Sequence, residues 1–489
     1  MKKQNSLKLN SVYNFLYSGI NIVYPLIVAP YVSRVLGATN LGKVNFSSNL
    51  AEWFIILSIF GTNIYGVREI SRSRDDRNKL SKTFSELISI KLIMAFLSCI
   101  LIFISIFYIE FFHEENVLHK IVMMNVFLSV LNVDWFFQGL EEYHYITIRS
   151  LIIKTFTILL IFLFVKNRDD YTRYALLNML SISGNGILNY LHSRKFVKIS
   201  FNNMTLKKHI KPLFTFFVTN FIINIYASVD STILGFLSTI NNVAFITRSK
   251  TIVRSAATVA DSISGATMSR AAYYSDLNKE QFYLLQSKVQ KMILWISISL
   301  MFGIASLSKE LMYLLGSVEY SYFSSLVILS SPVVIFSPLS AYLQRQILVP
   351  LGLEKEGLRA SIFSSFVSLI LNILMIKVYG VYGAAITLSI SEFLAFFIRY
   401  LIINIKYKLK IYLFDIIVLR FLSVGILMFI VIILLKRILM FSVLIEFLIC
   451  VIVGIICYVG ILLFFKDKTT MEIFKFIKSI IYKFLPLKK

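Results

Sequence analysis

The sequence predicts an all-α integral membrane protein with about 14 transmembrane helices. Three observations lead there. Of the 489 residues, 57% are hydrophobic and only 16% are charged, against about 25% charged in soluble domains, and the mean hydropathy is +0.76. The apolar residues also come in runs of roughly the 20 residues that a spanning helix requires. No run alternates apolar and polar residues at period two, which excludes a membrane barrel.

The candidate spans are 11–33, 44–66, 83–109, 117–138, 146–165, 172–191, 213–236, 241–265, 290–308, 322–349, 360–378, 381–403, 413–435 and 441–465. Pro332 and Pro338 break the tenth. With the N-terminus placed inside, the inside loops hold 33 Lys and Arg and the outside loops 10. This bias puts both termini in the cytoplasm. The basic N-terminus, MKKQNSLKLN, is followed by a long polar-spotted apolar segment, which reads as an uncleaved first span. The longest hydrophilic connections, 67–82, 192–211 and 268–289, all fall inside.

A net charge of +24 would suggest nucleic acid in a soluble protein. Here the basic residues sit in short segments between spans, and no separate basic domain with interleaved aromatics exists, so no nucleic-acid partner is expected. Cys99, Cys450 and Cys457 lie in apolar runs and read as small hydrophobes with no disulfide or metal framework. Glu110, His113, Glu114, Glu115 and His119 form the one acidic and histidine cluster outside, and it reads as a solvated turn. With no Gly-rich phosphate loop before a strand, ATP hydrolysis is unsupported. No metal, cofactor or catalytic residue is expected, and the chain reads as a non-enzyme.

The chain echoes itself. VLGATNLGKVNF at 35–46 resembles ILGFLSTINNVAF at 233–245, with Leu36-Gly37 aligned to Leu234-Gly235 and Phe46 to Phe245. Each stretch lies where one odd-numbered span hands over to the next. Spans one and two then correspond to seven and eight, as in transporters built from repeats. The implied organisation is two pseudo-repeated six-helix lobes, 1–211 and 212–410, followed by two extra spans and a basic cytoplasmic tail, 411–489.

Within the spans, polar residues form stripes. On a helical wheel of 100° per residue, Arg248, Lys250, Arg254, Asp261 and the Thr and Ser residues between them share an arc of about 160° in FITRSKTIVRSAATVADS, 245–262. The opposite arc is apolar except for Ser249 and Ser264. Narrower stripes run along Asn10, Asn14, Ser18 and Asn21; Asn45, Asn49 and Glu52; Asn125, Ser129 and Asn132; and Asn220, Asn224, Ser228 and Ser231. Small polar residues of this kind can join helix to helix. Polar faces on spans one, two, seven and eight together point instead to a shared hydrated cavity. A central Arg costs about 2.5–3.5 kcal/mol to insert, so Arg254 requires a partner. Glu52, Asp230 and Asp261 are the ion-pair or ion-coupling candidates, with Asp261 two turns along the same face. On span eight itself the three cations outnumber the one acid, Asp261, and the surplus favours an anionic substrate such as a phosphate, which suits the planar Arg fork.

DWFFQGLEEYHYITIRS, Asp134–Ser150, strongly resembles the signature of Wzx-type polysaccharide flippases, within the multidrug/oligosaccharidyl-lipid/polysaccharide exporter superfamily, whose drug-exporting branch is MATE-like. PLIVAPYVSRVLGATNLGKVNF at 25–46 and LQRQILVPLGLEKEGLRAS at 343–361 are similar to that family's first helix and loop and to its span-ten region. The resemblance runs over roughly residues 10–405. It implies a bacterial cytoplasmic-membrane protein that moves an undecaprenyl-pyrophosphate-linked oligosaccharide from the inner to the outer leaflet, for capsule or O-antigen biosynthesis. It also implies pyrophosphate-binding arginines at Arg34, at the end of span one, and at Arg248 or Arg254 in span eight. Lys250 would add to the cationic face, with Asn45, Asn49, Asn220 and Asn224 on the sugar. Asp134 and Gln138, one turn apart in span four, are inner-gate candidates or a helix end that meets cytoplasm.

The expected partners are therefore the lipid-linked oligosaccharide, the bilayer and an H+ or Na+ counter-ion. A cation-coupled drug exporter of the same superfamily is the alternative, though it would call for an acidic cavity. A membrane glycosyltransferase or polymerase is disfavoured by the short outside loops.

Overall fold

The computed structural model describes residues 7–199, 204–407 and 415–474. The side chains of Asn10, Asn14, Ser18 and Asn21 lie outside the described ones, as does most of the basic tail. Every element among the described residues is helical. All fourteen predicted segments are helical over most of their described length. Among the described residues ten helices are long and apolar enough to cross a membrane, and eleven if the bent pair Lys207–Ile225 and Ser228–Leu237 is one span. The protein is thus a multi-span membrane protein, although length and apolarity alone do not count to fourteen. The first two predicted spans are joined in one long helix, and the polar stripes on two others dilute their hydropathy.

The chain divides into two compact units, Met1–Ala244 and Phe245–Lys489. In the first, α1 (Leu7–Ile59) is two helices merged across Gly37, whose φ of 72° turns the chain without a Cβ penalty. α2 (Thr62–Ser73) follows, and Asp76 caps α3 (Arg77–Ser105) by accepting from the Asn78 and Lys79 amides. These two amide bonds hold the Asp76 carboxyl below its ordinary range. The expected hydrophilic connection 67–82 is therefore mostly helix. The same holds for 268–289, where α10 (Ile240–Leu277) gives way after one residue, Asn278, to α11 (Lys279–Ser306).

The fourth span is broken. α4 (Glu110–Glu114) precedes α5 (Asn116–Leu128), then a 3-10 turn (Ser129–Leu131) and extended Asn132 lead to α6 (Asp134–Gly139). Trp135, Phe136 and Phe137 of α6 are fully buried, with Phe84 of α3 at 4.9 Å from Phe136 and 5.7 Å from Trp135 between ring centroids. The aromatic core of the signature stretch is a packing device. α7 (Tyr143–Phe164) and α8 (Tyr171–Ser193) complete the sequence-local part of this unit.

α9 (Lys207–Leu237) belongs to the first unit because both its ends are tied there. His209 bonds the Tyr65 hydroxyl at 2.7 Å and Glu86 at 2.9 Å. Further along, Ser228 donates to Glu52 and the Trp53 indole to Thr232, each at 3.0 Å. The two echoing stretches also touch: a Cβ on Gly42 would collide with the backbone carbonyl of Ile240, and one on Gly235 with the Phe46 ring. Leu36, Val44, Phe46, Leu234 and Val243 are all buried. This division by packing is distinct from the expected division by repeat after residue 211.

In the second unit, α12 (Ser308–Leu315), α13 (Val318–Ser321), α14 (Ser325–Ser330) and α15 (Val333–Tyr342) run into a π-helical turn, Leu343–Leu348. α16 (Glu354–Tyr379) and α17 (Val381–Leu401) follow. α18 (Ile416–Ile438) and α19 (Val443–Phe464) pack on α11, burying Phe421, Cys450 and Tyr458. Outward faces stay apolar: Phe96, Phe103, Phe156, Phe366, Ile430 and Ile456 are all exposed, as hydrocarbon contact allows.

Candidate functional site

The second unit's end of α10 sorts its side chains as the wheel predicts. Phe245 stacks on Phe323 at 4.0 Å, and Ile246, Ile252, Val253, Ala257 and Ala260 are buried. Of the two serines on the apolar arc, the Ser249 hydroxyl lies 3.5 Å from that of Ser330, while Ser264 is tied through its backbone carbonyl, which accepts from Gln346 at 2.5 Å, and its buried hydroxyl has no partner. On the opposite arc Lys250, Arg254 and Asp261 are half-buried and Thr258 and Ser262 exposed. Arg248, at the edge of the arc, is only 7% exposed, with its guanidinium 5.8 Å from the Tyr320 ring centre.

The ion pairs differ from those expected. Asp261 does not reach Arg254. Seven residues of helical rise separate them by roughly 10.5 Å, and Asp261 instead accepts from Arg345 at 2.8 Å. Arg254 faces Glu392 of α17, 4% exposed, with Nη1 at 3.7 Å from the carboxylate. That is too long for a hydrogen bond, and Arg254 Nη2 has no hydrogen-bond partner. Glu392 and Arg345 are the site residues that sequence reasoning missed. The signal was present: Glu392 is a lone acid inside an apolar span, which marks a functional candidate by default.

The remaining predicted residues lie in the first unit. Arg34 is exposed, one turn before the Gly37 kink. Asn45, Asn49 and Glu52 are half-buried along the second half of α1, and Glu52 is held by Ser228. Asn220 and Asn224 are half-buried, and Asn224 donates to its own helix at the Asn220 carbonyl, 2.9 Å away. Asp230 is 4% exposed and accepts from the Ser231 amide at 2.7 Å.

Asp134 enters a buried polar network. It accepts from Arg149 at 2.9 Å and Asn189 at 2.6 Å, and Arg149 also donates to Asn185. Lys91, fully buried, donates to the Ser129 and Asn132 carbonyls at 3.3 and 2.8 Å, at the two ends of the 3-10 turn that follows α5. Gln138 sits half-buried one turn on. Glu115 pairs with Lys43 and accepts from the Tyr171 hydroxyl. Among the described residues no three His, Cys, Asp or Glu side chains could share a metal.

Residues 7–268, just over half of the chain, match the family described as "Polysaccharide biosynthesis protein". The chain belongs to this family. A curated relative, "Putative O-antigen transporter" of Escherichia coli (strain K12), is 23% identical over 399 residues, 79% of this chain and 94% of the relative. Among solved structures, the lipid II flippase MurJ in an inward closed conformation aligns with a TM-score of 0.73 at 17% identity, covering 94% of this chain and 99% of that one. An inward-facing multidrug resistance MATE family transporter of the MOP superfamily aligns at 0.58 with 16% identity, covering 79% and 96%. At these identities the likeness is one of fold, that of all-α membrane transporters.

Proposed function

We propose that the chain is a flippase that carries an undecaprenyl-pyrophosphate-linked oligosaccharide from the inner to the outer leaflet of the bacterial cytoplasmic membrane, for surface polysaccharide biosynthesis. It crosses the membrane fourteen times, with both termini in the cytoplasm, and works by alternating access between two six-helix lobes without a chemical step. The observation that carries this reading is Arg254, which stands mid-helix on the cationic face of α10 with one nitrogen unpartnered and its nearest carboxylate, Glu392, at 3.7 Å. An incompletely paired guanidinium in a low-dielectric setting favours a phosphate, which can take both faces of its fork. Lys250 and Arg248 add positive potential, and the Asn and Ser stripes offer hydrogen bonds to sugar hydroxyls. The family match and the names of the relatives support the same substrate class. A proton or sodium counter-ion is proposed at Glu52 or Asp230, and the Asp134 network is proposed to brace the inner gate.

Arg254→Gln is expected to abolish export of the surface polymer and leave lipid-linked oligosaccharide in the inner leaflet, at unchanged protein level. Arg254→Lys is expected to retain part of the activity. Normal export by Arg254→Gln sinks the assignment of the headgroup site.

A further inference from the structure

Arg345 stands on the π-helical turn Leu343–Leu348. Such a turn widens the helix locally and re-aims the side chains it carries, and it is frequent at functional sites. Here it is pinned to α10. The side chain of Gln346, none of it exposed, donates to the Ser264 carbonyl and, at 2.9 Å, to the Thr267 hydroxyl. The adjacent residue, Arg345, is thereby held over α10, where its Nη1 meets Asp261 Oδ2 at 2.8 Å.

The pairing is incomplete. Asp261 Oδ1 has no hydrogen-bond partner, so the carboxylate engages the guanidinium through one oxygen only. The Arg345 side chain is 44% exposed and that of Arg254 35%. Each cation thus meets one carboxylate through a single contact, and each keeps enough exposed surface to accept a ligand. Arg254 stands on α10 and Arg345 is anchored to the same helix at Asp261, about two turns further along, and both guanidinium groups suit an anionic headgroup.

We propose that Arg345 is a second headgroup-binding residue, that Asp261 occupies its guanidinium while the site is empty, and that a diphosphate displaces the carboxylate. This rests on the reading of Arg254 as the headgroup site. The ligand chemistry is a diphosphate, borne by a lipid or free in solution.

The test is the affinity of the purified full chain for farnesyl diphosphate and, in parallel, for inorganic pyrophosphate. Arg345→Gln is expected to weaken binding about tenfold, the loss of one charge-assisted contact. Asp261→Asn is expected to strengthen it about threefold, and the double variant to bind no better than Arg345→Gln alone. Arg345→Lys keeps a charge for Asp261 and loses the fork. It is expected to fall between wild type and Arg345→Gln with an unchanged unfolding temperature, which separates binding from folding. Tighter binding of the farnesyl compound identifies a lipid ligand, and equal binding identifies the free anion; both support the diphosphate site. Wild-type affinity in Arg345→Gln or unaltered affinity in Asp261→Asn overturns the proposal. If Arg254→Gln alone weakens binding, the headgroup reading stands while the inference falls; if neither arginine matters, both fall.

Discussion

Lys91 places an ammonium on α3 with no exposed surface and no carboxylate in direct contact. It ties down the turn that follows α5. α5 ends at Leu128, and Lys91 donates to the carbonyls of Ser129 and Asn132, at the two ends of the 3-10 turn that follows; the Ser129 carbonyl also accepts from the Asn132 amide at 3.1 Å. The favourable orientation at a helix C-terminus adds to this. Lys91→Met keeps the volume and removes the donors. It is expected to cost about 1–3 kcal/mol, chiefly for the orphaned Asn132 carbonyl, read as a lower unfolding temperature in detergent and a lower membrane level. Lys91→Arg is expected to recover part of the loss. At this scale the sequence was partly legible. Arg254 announced itself as a mid-span cation, and the apolar and polar arcs of α10 sort as the wheel predicts. Its carboxylate, Glu392, lies 138 residues further along. No periodicity within one helix reports such a partner, and for the same reason Asp261 was matched to the wrong arginine.

The helices make a different argument. The handover at Gly37 and the close pass of Gly42 over Ile240 both depend on the absence of a side chain. Gly42→Ala puts a methyl into a backbone carbonyl, which cannot rotate away, so α1 and the start of α10 must separate. Gly184→Ala in α8 meets open space and removes a helix-weakening glycine. Gly42→Ala is therefore expected to lower both transport and thermal stability, and Gly184→Ala to be neutral or slightly stabilising. Equal behaviour of the two in an unfolding scan would show that the contact carries no weight. Glycines in LGATNLG looked like a loop in the sequence, yet the chain stays helical on both sides of Gly37, because one residue of left-handed backbone is enough to redirect it. The break in span four was illegible for the opposite reason. VFLSVLNVDWFFQ contains no proline or glycine, and the interruption is stabilised from outside, by Lys91 and by the partners of Asp134.

For the whole molecule, the fold class follows from apolar run length, and the helices fall where those runs are. α8 and α10 are not among the helices apolar enough to cross a membrane, since polar residues along their faces lower their hydropathy. The packing division at residue 245 was not legible, since it depends on tertiary bonds from α9 to Tyr65, Glu86, Glu52 and Trp53. The central claim is that the cationic face of α10 serves transport of a diphosphate-linked lipid. Its most direct test is leaflet transfer in proteoliposomes that contain the purified chain and a labelled polyprenyl-diphosphate oligosaccharide. Wild-type protein is expected to move label to the opposite leaflet, and Arg254→Gln to slow that transfer at least tenfold at equal reconstitution, about 1.4 kcal/mol in the transport barrier. Wild-type protein that moves no label, or an Arg254→Gln variant that transfers it at the wild-type rate, contradicts the account.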